Sequence, residues 1–146
     1  MPKDTPVRMT WLRGMYVYNV VATGGAGLLF LAFPGTVRSV FRFPPQEPAV
    51  LAIYGSVLLA FALVCLAGLR APVRFSAVLL IQVAYKAIWI AAVAVPLFTR
   101  GRFPLYVMAL VGIYVTYIIG DLIAIPFGVL FPAQKRESAE RTVESD

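Results

Sequence analysis

The sequence predicts an all-α, polytopic membrane protein built as a bundle of four transmembrane helices. Two values of composition predict this class: 60% of the 146 residues are hydrophobic, and the mean hydropathy is +0.82. Charged residues make up only 14% of the chain, compared with about 25% in an average soluble domain. The apolar residues also fall into four stretches, each longer than the ~20 residues that cross a bilayer as a helix.

The four stretches define one transmembrane domain over residues 1–132. We expect its helices at about 11–33, 48–69, 75–98 and 105–131, followed by a polar cytoplasmic tail over residues 133–146. The first stretch is too long for the apolar region of a signal peptide and has no A-x-A cleavage pattern, so we interpret it as a retained helix.

The longest loop follows the first predicted helix. Val37, Val40 and Phe41 share one helical face there, and two arginines lie one turn apart on another face. This pattern favours a short amphipathic helix along the outer membrane surface, ended by the prolines at positions 44 and 45. An ordinary connecting loop is the alternative interpretation.

The distribution of Lys and Arg predicts that both termini are cytoplasmic. The flanks on the side of the termini carry eight basic residues: Lys3, Arg8, Arg13, Arg70, Arg74, Lys135, Arg136 and Arg141. The opposite flanks carry four: Arg38, Arg42, Arg100 and Arg102. Since short cytoplasmic flanks carry the excess of basic residues, the side with eight is assigned to the cytoplasm.

Several classes of function are disfavoured by what the sequence contains. Histidine is absent and Cys65 is the single cysteine, which disfavours histidine-ligated metals and haem and rules out an internal disulfide. We find no Ser/His/Asp arrangement, phosphate-binding loop or paired carboxylates, and therefore expect neither an enzyme nor a bound cofactor or metal. The net charge of +6 is spread in ones and twos beside the apolar stretches, which is typical of topology signals and does not indicate nucleic-acid binding.

Two charged residues interrupt the apolar stretches: Lys86 in the third and Asp121 in the fourth. A charge at the centre of a bilayer costs between ~2.5 and ~17 kcal/mol, depending on how it is measured. Both side chains are therefore predicted to face the interior of the bundle, where they can find partners.

The polar and aromatic residues around these charges fall on single helical faces. The third helix carries four of them at i, i+3, i+4 and i+7, and the fourth carries three at i, i+3 and i+7. A rise of ~1.5 Å per residue places Asn19, Lys86 and Asp121 in one layer, ~12 to 16 Å from the cytoplasmic ends of their helices. The candidate ligand-binding residues are Lys86, Asp121, Asn19, Gln82, Tyr85, Trp89, Tyr114, Tyr117 and Tyr54.

We predict that Lys86 and Asp121 form an ion pair, with Asn19 or Gln82 supplying further hydrogen bonds. Three roles stay open for this polar centre. It fixes the register of the helices, it forms the floor of an aromatic pocket, or it transfers protons or ions. A tight pair works against proton transfer, because the cation stabilises the ionised carboxylate.

The fourth helix also carries a strip of small residues one i+4 step apart: Gly112, Thr116, Gly120 and Ala124. Small residues at this spacing let helices approach closely in lipid. The strip either docks against a second copy or another protein, or packs within the bundle.

The motif Tyr54-Gly55-Ser56-Val57-Leu58-Leu59-Ala60 precedes a short turn flanked by Arg70 and Arg74. Together with the chain length and the four spans, this segment resembles the DoxX-like group of small bacterial four-helix membrane proteins. The resemblance covers helices two and three. It implies a bacterial inner-membrane protein near quinone or lipid chemistry, and it assigns no functional residue.

These observations favour a protein that binds a lipid-like or quinone-like small molecule between its helices, or an accessory subunit with such a site. The alternatives are a transporter or proton-relay subunit, and a purely structural or assembly partner in the membrane. Expected partners are membrane lipids, a hydrophobic small molecule and a homo- or hetero-oligomer, and not nucleic acid.

Overall fold

The computed structural model describes residues 7–45 and 47–131, and these residues form helices and no strands. Four helices are long and apolar enough to cross a membrane. We name them spans 1 to 4 in chain order: Met9–Ala32, Pro48–Gly68, Ala77–Thr99 and Leu105–Ala124. The all-α class and the four membrane-spanning helices predicted from the sequence are thus confirmed. The predicted tail over 133–146 lies outside the described residues.

The fourth span is shorter than the sequence predicted, because the chain leaves the helix at Ala124 instead of Phe131. Ile125 is extended, with φ −64° and ψ 122°. The residue before a proline is pushed out of the helical region by the proline ring, and Pro126 has this effect here. A separate short helix then follows over Phe127–Leu130.

Spans 1 and 2 pack closely through glycines. A Cβ atom built on Gly27 would lie 2.8 Å from the backbone nitrogen of Leu59 and 2.9 Å from the carbonyl oxygen of Gly55. A Cβ on Gly24 would lie 3.0 Å from the Cβ of Ala62. The two helices therefore touch backbone to backbone, as small residues permit in lipid.

The apolar core is concentrated at the end of the bundle that carries the beginning of span 1. Its buried members are Leu12, Met15, Tyr16, Cys65, Val78, Leu79, Ala124 and Ile125. Tyr16 also donates a hydrogen bond of 2.7 Å to the carbonyl oxygen of Pro72 in the turn between spans 2 and 3. The buried apolar core of the described residues therefore lies at this end, where span 1 is also hydrogen-bonded to the turn between spans 2 and 3.

The loop after span 1 contains the predicted short helix, over Pro34–Phe41, and we call it the loop helix. It ends before the two prolines, at Arg42, which adopts the left-handed conformation with φ 53°. Val37 is buried and Phe41 is half-buried, whereas Val40 is 68% exposed. Of the predicted apolar face, Val37 and Phe41 thus meet the bundle and Val40 turns away from it.

Two of the spans contain a π-helical segment, Asn19–Thr23 in span 1 and Ile90–Ala94 in span 3. A π segment widens one turn of a helix, and such segments occur frequently at functional sites. The first segment begins and ends with buried polar residues, Asn19 and Thr23. The distortion of span 1 therefore coincides with the level of the polar centre.

Candidate functional site: a polar floor beneath an aromatic cavity

The structure places a layer of polar side chains in the interior of the bundle. The layer comprises Asn19 and Thr23 of span 1, Gln82 and Lys86 of span 3, and Asp121 of span 4, and none of them is more than 5% exposed. These residues come from three different helices, so the buried layer is a product of the fold and not of one local segment.

Lys86 is held by one amide and two aromatic rings. Its Nζ donates a hydrogen bond of 2.8 Å to Oε1 of Gln82. The same nitrogen lies 4.3 Å from the centre of the Tyr117 ring and 4.6 Å from that of the Tyr85 ring. An ammonium at such distances over an aromatic face is attracted by the negative face of the ring, an effect that strengthens when water is excluded.

The predicted ion pair between Lys86 and Asp121 is wrong as a direct contact. Neither carboxylate oxygen of Asp121 has a hydrogen-bond partner among residues 7–45 and 47–131. Gln82 lies one turn before Lys86 on the same helix, so its amide reaches the ammonium without crossing the bundle. Asn19, the other predicted partner, donates instead to the carbonyl oxygen of Met15 at 2.9 Å.

A chain of hydrogen bonds joins span 1 to span 4. The Thr23 hydroxyl donates to Oδ1 of Asn19 at 3.2 Å, and it lies 2.9 Å from the Tyr117 hydroxyl. Since a hydroxyl has one hydrogen, Thr23 accepts the bond from Tyr117. Tyr117 is thereby fixed beneath the ammonium of Lys86, and the π segment contributes both polar residues of span 1.

A cavity of about 420 Å³ lies directly above this layer, between spans 1 and 4. Five of the residues predicted to bind a ligand line it: Tyr54, Tyr85, Lys86, Tyr114 and Tyr117. The other four, Asn19, Gln82, Trp89 and Asp121, are not part of its lining. Trp89 instead packs edge-on against Tyr114, with ring centres 5.2 Å apart. The volume is within the range of small-molecule sites, about 300–1,000 Å³.

The cavity is also lined by the loop after span 1, and it has an open side. Val37 and Phe41 of the loop helix and the following Phe43 belong to its lining. Two of its lining residues on span 1, Tyr18 and Val21, are exposed on the outer surface of the bundle, Val21 by 69%, and Ile113 of span 4 is exposed as well. The side between spans 1 and 4 therefore faces the surrounding lipid.

Span 1 contributes a wall of the cavity whose residues were not among the predicted ligand-binding residues. Thr23, Gly25 and Ala26 line the cavity, and a Cβ on Gly25 would meet no atom within 4 Å. The small residues at positions 25 and 26 were a visible signal, since they leave space on the face of span 1 that is turned away from span 2. A larger groove of about 620 Å³ lies along Val7–Met15, but it is lined by that one segment and by none of the buried polar layer.

The predicted strip of small residues is divided between two environments. Gly112 and Thr116 are exposed on the lipid side. Gly120 and Ala124 are buried, and a Cβ on Gly120 would lie 2.7 Å from the sulfur of Met15. Half of the strip thus packs within the bundle, against span 1, while docking of the other half against another chain stays a prediction.

Comparison with known proteins gives no matching family model, no similar curated protein and no similar solved structure. The resemblance to the DoxX-like group accordingly stays a prediction from the sequence.

Proposed function

We propose that this protein is an intramembrane binding protein that holds a lipid-like or quinone-like molecule in the cavity between spans 1 and 4. The observation that carries the proposal is the placement of a buried ammonium, Lys86, in the lining of a largely aromatic and aliphatic cavity. Ligand sites are commonly mostly apolar, with a few polar groups that fix the orientation of the ligand. The cavity has this composition.

The open side indicates how such a ligand would enter. A hydrophobic molecule dissolved in the bilayer would pass between spans 1 and 4 without crossing water, because the residues at this side are apolar and exposed. Its polar group would then lie near Lys86 and its apolar body would extend toward Phe41 and Phe43. The aromatic rings of the lining would contact this body, and aromatic side chains provide large contact areas at low cost in conformational entropy.

The proposal includes a location and an orientation in the membrane. The excess of basic residues flanking the termini supports cytoplasmic termini, and the resemblance to the DoxX-like group supports the bacterial inner membrane. Reporter fusions at the C-terminus test the orientation: a cytoplasmic reporter should be active there, and activity of a periplasmic reporter alone would contradict it.

The function is tested by native mass spectrometry of the protein purified in mild detergent, followed by organic extraction. We expect a discrete adduct of one hydrophobic small molecule, which extraction releases and identifies by class. A protein mass with no adduct, even after purification in the presence of added membrane lipids and quinones, would contradict the proposal.

A further inference from the structure

We infer that the ligand is a single-chain amphiphile with a carboxylate head, as in a long-chain fatty acid, and that Lys86 and the Tyr54–Tyr114 hydroxyl pair bind this head. The inference rests on the proposed binding function and specifies its ligand class. It follows from an accounting of the hydrogen-bond donors and acceptors that face the cavity.

Lys86 is the first source of donors. An ammonium has three N–H groups and no acceptor, and among the described residues the Lys86 ammonium donates one hydrogen bond, to Gln82. The rings of Tyr85 and Tyr117 attract the charge without supplying an oxygen in the direction of the cavity. The floor of the cavity therefore presents a cation with donor capacity.

The tyrosine pair is the second source of donors. The hydroxyl oxygens of Tyr54 and Tyr114 are 2.9 Å apart, which is one hydrogen bond. Two hydroxyls carry two hydrogens, and their mutual bond uses one of them. Whichever tyrosine donates within the pair, the hydrogen of the other is left to bind an acceptor.

Three acceptors of the polar layer are already used, and the carboxylate oxygens of Asp121, which have no partner among the described residues, are not part of the cavity lining. Oδ1 of Asn19 accepts from Thr23, the oxygen of Thr23 accepts from Tyr117, and Oε1 of Gln82 accepts from Lys86. The lining therefore presents free donors and the positive charge of Lys86, while the carboxylate of Asp121 lies in the same buried layer but outside the lining. The complement of this lining is a group that only accepts and is negatively charged, and an ionised carboxylate has both properties.

The choice between a carboxylate and a neutral quinone carbonyl depends on charge. No carboxylate of the described residues contacts the Lys86 ammonium, since the oxygens of Asp121 are without hydrogen-bond partners. A neutral carbonyl would also accept a charge-assisted hydrogen bond from the ammonium, but an ionised carboxylate adds the Coulomb attraction between two full charges, so an anionic head gains more at this position. A long apolar chain suits the remaining lining, which extends from Tyr18 to Phe30 along span 1, ~18 Å at ~1.5 Å per residue.

Binding of radiolabelled oleate to the detergent-solubilised, full-length protein tests this inference. Unlabelled oleate should displace the label. Two neutral molecules should compete at least roughly tenfold more weakly than oleate: methyl oleate, which has the same chain without the charge, and a short-chain ubiquinone analogue. Lys86→Met should weaken oleate binding by roughly ten- to a hundredfold, as expected for the loss of a charged hydrogen bond. Tyr54→Phe should weaken it by about two- to tenfold, and Thr116→Val, which removes an exposed hydroxyl outside the cavity, should leave it unchanged.

The outcomes separate this inference from the proposed function. Methyl oleate or the quinone analogue competing as well as oleate would overturn the carboxylate head while the binding function stands. Failure of all three molecules to bind would overturn the inference, and together with the lack of any co-purified molecule it would overturn the binding function as well. The comparison of acid with ester needs only the unaltered protein, so it decides the question even if Lys86→Met does not fold.

Discussion

Replacing Gly27 with alanine is expected to destabilise the bundle by about 1–3 kcal/mol. The added methyl group would lie 2.8 Å and 2.9 Å from backbone atoms of Leu59 and Gly55. Backbone atoms cannot turn aside as a flexible side chain can, so spans 1 and 2 must separate along their contact. The loss should exceed the gain of up to ~1 kcal/mol that alanine normally brings to a helix.

Gly25→Ala is the matched control for this prediction. Gly25 lies two residues away on the same helix, and a Cβ there meets no atom within 4 Å. The free energy of unfolding of the Gly25→Ala variant should equal that of the unaltered protein or exceed it by up to ~1 kcal/mol. Both variants can be compared by SDS titration in mixed micelles, with tryptophan fluorescence as the signal. Equal stabilities for the two would show that spans 1 and 2 do not touch at Gly27.

Asp121→Leu is expected to increase the free energy of unfolding by about 1–3 kcal/mol, the cost of a buried polar group without a partner. Asp121 is fully buried and neither of its carboxylate oxygens accepts a hydrogen bond from the described residues. Leucine has the same branching and the same number of side-chain heavy atoms, and it gives up no hydrogen bond to the described residues. Hydrogen bonding thus does not explain the presence of a carboxylate at this position.

Asn19→Leu is the matched change in the same buried layer, and it should change the free energy of unfolding in the opposite direction. The Asn19 side chain donates to the carbonyl of Met15 and accepts from Thr23. Leucine at this position would leave the Thr23 hydroxyl without its acceptor and should lower the free energy of unfolding by about 1–3 kcal/mol. If Asp121→Leu destabilises the protein as much as Asn19→Leu does, Asp121 has a stabilising partner and the described geometry of the carboxylate is wrong.

The spans could be predicted from the sequence because each depends on hydropathy summed over some twenty residues, a signal that neighbouring helices do not alter. The burial of Lys86 and Asp121 could be predicted for a similar reason, since the cost of a charge in lipid leaves only the interior. The end of span 4 was missed because the apolar run continues past Pro126 to Phe131. In this case the local effect of the proline on Ile125 outweighs the hydropathy of the segment.

The sequence named Asp121, Asn19 and Gln82 as partners of Lys86 but could not decide among them, because the choice depends on a few side-chain torsions. Gln82 and Asp121 were both within the reach that helix geometry allows, and the nearer amide on the same span is the one that binds the ammonium. The contribution of the loop after span 1 to the cavity lining could not be predicted from the sequence either, since it depends on contacts between distant segments. Phe43 packs against Tyr106, with ring centres 5.3 Å apart, and no local pattern indicates this contact.

Filling the cavity between spans 1 and 4 tests whether a ligand occupies it. Gly25 lines the cavity, whereas Gly112 is exposed on span 4 outside it, and a Cβ at either position meets no atom within 4 Å. Gly25→Phe should therefore abolish the ligand adduct in native mass spectrometry, and Gly112→Phe should retain it in full. Equal adducts on the two variants would contradict the account, because the ligand would then bind somewhere other than this cavity.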